Sequence, residues 1–148
     1  MKLVITRVTS AMVTIDGACR SRISQGLLVL CGVMEGDTLA DVEYLAKKTA
    51  GLRIFADAEG KINRACNEIG GEILVVSNFT LCGETRKGNR PSFVRAARPE
   101  EANALYEAYV EKLREYGYTV KTGEFGADMK LSSVNDGPIT ILMDSKEA

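Results

Sequence analysis

Toward its carboxyl end the chain reads Val134-Asn135-Asp136-Gly137-Pro138-Ile139-Thr140, a Gly-Pro pair set between two stretches with strand character. Proline lacks the N–H that a sheet ladder needs, so a strand tolerates it only at an edge, a first position or a bulge. The other prolines are easier to place. Pro99 precedes a Glu-rich helical pattern and suits a first helical turn, and Pro91 lies in a basic loop. Pro138 has two readings: the start of a strand after a turn, or a rigid wedge of backbone presented to a ligand.

A second segment, Glu72-Ile73-Leu74-Val75-Val76-Ser77-Asn78-Phe79-Thr80-Leu81, follows the Gly70-Gly71 turn. Its apolar run predicts a buried strand. That strand delivers Ser77, Asn78 and Thr80 at its end. Alternation along a strand puts Asn78 and Thr80 on one face, with Ser77 and Phe79 on the other. An ordinary strand end surfacing into solvent reads the same way as a site.

Strand patterns cover Lys2 to Val8, Met12 to Ile15, Cys19 to Ile23, Gln25 to Val33, Leu52 to Phe55, Tyr118 to Lys121, Phe125 to Val134 and Ile139 to Met143. Asp37 is the expected cap of a helix whose apolar positions Leu39, Val42, Leu45 and Ala46 share a face and which ends near Gly51. A second helix starts at Pro99, carries Ala102, Leu105, Tyr106, Tyr109, Val110 and Leu113 at helical spacing, and stops at Gly117. Many short sequential strands with two main helices predict an α+β fold: an antiparallel, barrel-like sheet with the helices packed outside, as a single domain over 1–148. Strand and helix do not alternate, and no Gly-rich phosphate loop follows a strand, which disfavours a Rossmann-type sheet.

At 148 residues and 45% hydrophobic the chain suffices for one well-buried core. The net charge of −1 gives no global attraction to nucleic acid. Gly26 to Met34 is too short to span a bilayer, and Met1 to Arg7 lacks the apolar stretch of a signal peptide, so the expectation is a cytoplasmic protein away from membranes. Cys19, Cys31, Cys66 and Cys82 form no close pairs and read as free thiols. Cys82, beside the Thr80 segment, is either a reactive thiol or a buried structural one. The chain has no histidine. That removes Ser-His-Asp and Cys-His nucleophile systems and every His-based metal site. An ester hydrolysed here would need a carboxylate, a lysine, water or the substrate itself as base. No metal or cofactor is expected.

The segment Arg86-Lys87-Gly88-Asn89-Arg90-Pro91-Ser92-Phe93-Val94-Arg95 concentrates positive charge in an otherwise balanced chain. Cations and an aromatic together suit a single-stranded RNA end, where charge meets phosphate and a ring stacks on a base. A solvated loop has the same composition.

Ser77-Asn78-Phe79-Thr80-Leu81 and Asn135-Asp136-Gly137-Pro138-Ile139-Thr140 resemble the two signature motifs of D-aminoacyl-tRNA deacylases. The resemblance runs the length of the chain. It takes in Ile5-Thr6-Arg7-Val8, Arg53-Ile54-Phe55-Ala56-Asp57 to Gly60-Lys61, Gly88-Asn89-Arg90-Pro91-Ser92-Phe93 and Ala127-Asp128-Met129. One departure stands out: Asn78 replaces the family's usual glutamine and is one methylene shorter.

The resemblance implies hydrolysis of the ester that joins a D-amino acid, or glycine, to the 3′ acceptor end of tRNA. It implies a homodimer. It makes Ser77, Asn78, Phe79 and Thr80 the catalytic segment, with backbone amides around Phe79 and Thr80 holding the oxyanion and the substrate's 2′-hydroxyl helping to activate water. It implies a cis Gly137-Pro138 peptide that enters the partner's pocket and rejects L-amino acids, with Arg7 as its support. Arg86, Lys87, Arg90, Phe93 and Arg95 then become expected tRNA contacts. Two rivals stay open: an esterase or amidase with Thr80 as covalent nucleophile, and a nucleic-acid-binding module without chemistry.

Overall fold

The computed structural model describes residues 1–148. Its strands are β1 (Lys2–Ile15), β2 (Ala18–Ile23), β3 (Gly26–Gly32), β4 (Arg53–Ala56), β5 (Ile62–Ala65), β6 (Glu72–Ser77), β7 (Val120–Thr122) and β8 (Lys130–Asp144), with helices α1 (Leu39–Ala50) and α2 (Pro99–Glu115). The main sheet runs β2-β1-β3-β6-β7, with β8 paired to β1. Side chains nearly close it into a barrel: Ser21 Oγ donates to the Thr122 carbonyl at 2.7 Å and Lys121 Nζ to that of Arg22 at 2.8 Å, joining β2 to β7.

The sheet is mixed, which corrects the antiparallel expectation. β3 pairs parallel with β6, and β6 with β7. The reason is burial on both faces. On β3 and β6, Leu27, Val29, Cys31, Ile73 and Val75 point to the helix-covered core, while Leu28, Leu74 and Val76 fill the barrel interior with Val8, Ala11, Val13 and Ile23. Parallel strands occur in this setting because both faces are apolar.

β1 is one continuous strand where the sequence pattern suggests two. Leu3 and Ile5 face the helices, yet Ala11 and Val13, also odd-numbered, face the barrel interior. The switch lies at Thr9, an extra residue between the Val8–Asn135 and Ser10–Val134 pairs. A bulge of this kind turns the following side chains to the other face. The expected break between Val8 and Met12 is therefore a change of face within one strand.

β8 is likewise continuous. Thr6 pairs with Thr140 and Val8 with Asn135, so Arg7 alone stands opposite Asp136, Gly137, Pro138 and Ile139. Pro138 thus lies in a bulge within an edge strand, neither in a turn nor at a strand start. Both features suit a residue without a ladder donor. Phe125 to Met129, read as strand, is loop. β5, absent from the sequence reading, pairs with β4.

At α1 the cap is Thr38 rather than Asp37. Thr38 Oγ1 accepts from Ala40 N, and Asp41 Oδ2 accepts from Thr38 N at 2.8 Å, completing a capping box. Asp37 instead accepts from Met34 N at 2.6 Å and pairs with the Met1 amine at 2.7 Å. α2 begins at Pro99 as expected and buries Tyr106, Tyr109 and Leu113. Tyr109 shares a 2.9 Å hydrogen bond with Thr49 of α1, and the Tyr106 hydroxyl donates to the Val75 carbonyl at 3.0 Å. The tyrosines are core.

Candidate active site

β6 ends at Ser77, and the chain enters a 3-10 turn over Phe79–Cys82. Asn78 at the junction is anchored through its backbone. Its N–H donates to the Cys31 carbonyl at 2.8 Å, and its carbonyl accepts from Leu81 at 3.3 Å. The turn lies against Gly32, where a Cβ would come within 2.9 Å of the Leu81 Cβ and 3.0 Å of the Asn78 carbonyl oxygen. A side chain at position 32 would push the turn off its strand.

The Leu81-to-Asn78 bond is the first of the turn, and no side chain caps it. The amides of Phe79 and Thr80 therefore stand outside the turn's own bonding, as the leading N–H groups of any helical turn do. Two adjacent, fixed donors of this kind can hold an oxygen that gains negative charge.

Thr80 and Asn78 do share a face, though through the turn and not through strand alternation. The Thr80 hydroxyl donates to Asn78 Oδ1. A carboxamide oxygen accepts a hydrogen bond but does not take up a proton at neutral pH, so it is no base for a nucleophilic hydroxyl. Buried Cys82 lies one turn on, its thiol 3.4 Å from the Val33 carbonyl and pushed to higher pKa by burial, the opposite of what a reactive thiolate needs.

Ser77, Asn78 and Phe79 border a cleft of about 810 Å³. Its walls come from Phe93, from Arg98, Pro99 and Ala102 at the start of α2, and from the Phe125–Met129 loop. The rings of Phe79 and Phe93 meet edge to face at 5.2 Å between centroids. Phe79 is 56% exposed. An apolar cleft with a few convergent donors is the usual form of a small-ligand site. The Phe125–Met129 wall carries no assigned role in the sequence reading, because its place beside Asn78 arises only from the tertiary fold. Ala127-Asp128-Met129 was the available signal.

The expected tRNA contacts do not form one patch. The segment between the turn and α2 is a hairpin-like excursion pinned by the reciprocal Glu84–Ser92 backbone bonds at 2.8 and 3.0 Å. Arg86 is bound as a fork to Glu84, at 2.9 and 2.6 Å, and holds that carboxyl down to about 2. Lys87 and Arg90 are exposed at the tip. Phe93 joins the cleft. Arg95 lies with Lys2 and Lys146, beside Glu35 and Asp144, away from the tip.

Gly137 and Pro138 are exposed and do not line the cleft. Their peptide bond is cis. The row through Ser77, Cys31, Leu3 and Met143 lies four residues from the row through Ile73, Leu27 and Arg7 that faces the Gly-Pro bulge, and β8 is three strands across from β6. At about 3.3 Å per residue and 4.8 Å per strand, the bulge and the Asn78 turn are roughly 20 Å apart along the sheet. Arg7 binds the backbone entering the bulge: Nε donates to the Asp136 carbonyl at 3.2 Å and Nη1 to the Ile54 carbonyl at 3.0 Å.

A barrel-like mixed sheet that ends in this turn beside an apolar cleft defines a fold class that the comparisons tie to one family. A sequence model of the family described as D-Tyr-tRNA(Tyr) deacylase matches residues 4–144. The chain belongs to that family. It is 54% identical over 147 residues to the D-aminoacyl-tRNA deacylase of Desulfitobacterium hafniense, covering 99% of both chains. Among solved structures it is similar to the c-Myc DNA unwinding element binding protein, with a TM-score of 0.92, 40% identity and 97% of this chain and 98% of that one covered. A probable eukaryotic D-amino acid tRNA deacylase shares the fold at TM-score 0.81 and 17% identity, over 96% and 97% of the two chains.

Proposed function

We propose that this protein hydrolyses the ester bond of D-aminoacyl-tRNA and of glycyl-tRNA, in the cytoplasm, as a homodimer that rejects L-aminoacyl esters. The observation that carries the chemistry is the pair of unbonded amides at Phe79 and Thr80, set at the mouth of an apolar cleft in a chain without histidine. The ester carbonyl oxygen sits at those amides. Water adds to the carbonyl carbon, helped by the ribose 2′-hydroxyl. The bond to the 3′-oxygen then breaks, that oxygen takes a proton, and free amino acid and tRNA leave. Positioning and oxyanion stabilisation supply the rate. Phe79 and Phe93 offer faces for the terminal base, as aromatics do for unstacked RNA ends.

The dimer is supported by β8. This 15-residue edge strand leaves Val134 and Leu142 exposed, at 59% and 75%, and an open apolar edge is a liability unless covered. Covering it would bring Gly137-Pro138, too far to serve its own cleft, to the partner's. There a rigid wall collides with an L side chain, whereas a D side chain points away and glycine has none.

The test is incubation of purified protein with D-Tyr-tRNA, L-Tyr-tRNA and Gly-tRNA. Release of tyrosine and glycine from the first and third, with the L-ester intact, is the expected result. Binding without turnover of any ester would support a nucleic-acid-binding module instead. A covalent acyl-enzyme on Thr80 would support the nucleophile mechanism.

A further inference from the structure

Only two charged residues line the apolar cleft: Arg98, at the start of α2, and Asp128, in the Phe125–Met129 loop. They differ in how much of their charge is left over. Asp128 stands 3.6 Å from Lys130, which offsets it. Arg98 joins none of the chain's ion pairs, and neither Glu100 nor Glu101 in the first turn of α2 pairs with it. It occupies the N-cap position of α2 without a side-chain bond to the helix. Its guanidinium is exposed, so five N–H donors stand unspent at the rim of an apolar cleft. The neighbouring cations are engaged or placed elsewhere. Arg86 is bound to Glu84, and Arg95 lies with Lys2 and Lys146.

A nucleoside esterified at its 3′-oxygen carries its nearest negative charge on the phosphate at the 5′-oxygen of the same ribose, one sugar away from the reacting carbonyl. A guanidinium fork meets two oxygens of such a phosphate at once. We propose that Arg98 binds the 5′-phosphate of the terminal nucleotide, so that the cleft takes the last nucleotide of the substrate as a unit. This rests on the ester-hydrolase reading above. The ester then lies at the Phe79 and Thr80 amides, the base against the aromatic rings, and the phosphate on the α2 wall. The nucleic-acid strand leaves past that wall, which is continuous in the chain with the excursion carrying Lys87 and Arg90. Arg98, and not Arg95, is the cation of the basic segment that touches the reacting nucleotide.

The experiment is a cycle between one side chain and one substrate group, begun by confirming that wild type hydrolyses D-Tyr-tRNA. The substrates are 3′-O-D-tyrosyl adenosine and the same ester carrying a 5′-phosphate. Wild type prefers the phosphorylated ester by about 10-fold in kcat/KM, the order expected of one hydrogen-bonded charge pair. Arg98→Ala hydrolyses the phosphate-free ester within about twofold of wild type, which also shows that it is folded, and loses the preference. Arg95→Ala, the same loss of charge outside the cleft, keeps the preference. If the short esters are not turned over, adenosine and adenosine 5′-phosphate are compared as competitive inhibitors of D-Tyr-tRNA hydrolysis, and the same pattern of ratios is expected. A wild type indifferent to the phosphate, a preference that survives in Arg98→Ala, or an equal loss in Arg95→Ala overturns the proposal. Failure of wild type to hydrolyse D-Tyr-tRNA overturns the ester-hydrolase reading itself, a separate result.

Discussion

Arg7 and Asp136 are joined twice: the guanidinium Nε donates to the Asp136 carbonyl at 3.2 Å and stands 3.3 Å from its carboxylate. The same side chain reaches the Ile54 carbonyl on β4 through Nη1. One planar fork thus ties the peptide that enters the Gly-Pro bulge to a second layer of the fold, and it is only 14% exposed. Lysine carries the charge but not the fork.

Arg7→Lys is expected to loosen the bulge and not to unfold the protein. If the bulge enforces handedness, the ratio of D-Tyr-tRNA to L-Tyr-tRNA hydrolysis should fall by about 10-fold, roughly 1.4 kcal/mol of discrimination. Rates on the two esters under identical conditions measure it. An unchanged ratio with reduced overall rate would assign Arg7 to stability alone.

The basic excursion yields a prediction that separates its cations. Arg86 is already committed to Glu84, whereas Lys87 and Arg90 are free at the tip. Charge reversal at both, Lys87→Glu with Arg90→Glu, should raise KM for D-Tyr-tRNA about 10-fold or more and flatten its salt dependence, since phosphate contacts act through counterion release. Arg86→Ala should shift KM far less. A salt titration of KM for the three proteins decides between a phosphate-binding tip and a merely solvated loop.

Much of this architecture is legible in the sequence where one local pattern decides the outcome. The α2 stripe from Ala102 to Leu113 and the apolar run of β6 each fix an element by periodicity. The near-continuous apolar runs Leu27 to Cys31 and Ile73 to Val76 mark strands buried on both faces, yet the antiparallel expectation missed their parallel pairing. What is not legible depends on residues far apart in the chain. Thr9 looks like a break in a strand until β8 shows it to be a bulge. The Phe125–Met129 wall becomes part of a site only when the barrel brings it to Asn78. Asp37 and Thr38 are both good caps, and the choice is made by the distant Met1 amine, which takes Asp37. The chemical motifs are visible as resemblance, whereas the Asn78–Thr80 bond arises from the turn that replaces the expected strand end.

Acid stability should report the α1 cap. Burial alone would raise the pKa of Asp41, but hydrogen bonds from Ser145, Lys146 and the Thr38 backbone outweigh it and hold the carboxyl well below the usual carboxylate range. An aspartate depressed in the fold adds stability that is fully present above its unfolded pKa near 4 and is lost as pH falls from there toward the folded value. Asp41→Asn should therefore be less stable than wild type by about 1 kcal/mol at pH 7. The gap should shrink as pH drops below about 4. Urea midpoints for both proteins across this range test the sign. A gap that widens on acidification contradicts the assignment.

The cross-subunit placement of the bulge is open to complementation. The Asn78 turn and Gly137-Pro138 lie on opposite parts of one chain's sheet, so each site of a two-fold dimer would combine one chain's cleft with the other's bulge. Thr80→Tyr blocks the cleft and Pro138→Ala damages the bulge, each first checked to be folded, dimeric and inactive alone. In a mixed dimer one site carries both lesions and the other carries none. Random exchange makes half the dimers mixed, and each has one intact site of two, so activity on D-Tyr-tRNA should recover to roughly a quarter of wild type. If cleft and bulge served the same chain, every site would keep a lesion. Absence of recovery, with mixed dimers confirmed by native mass spectrometry, would then place the bulge outside the partner's site.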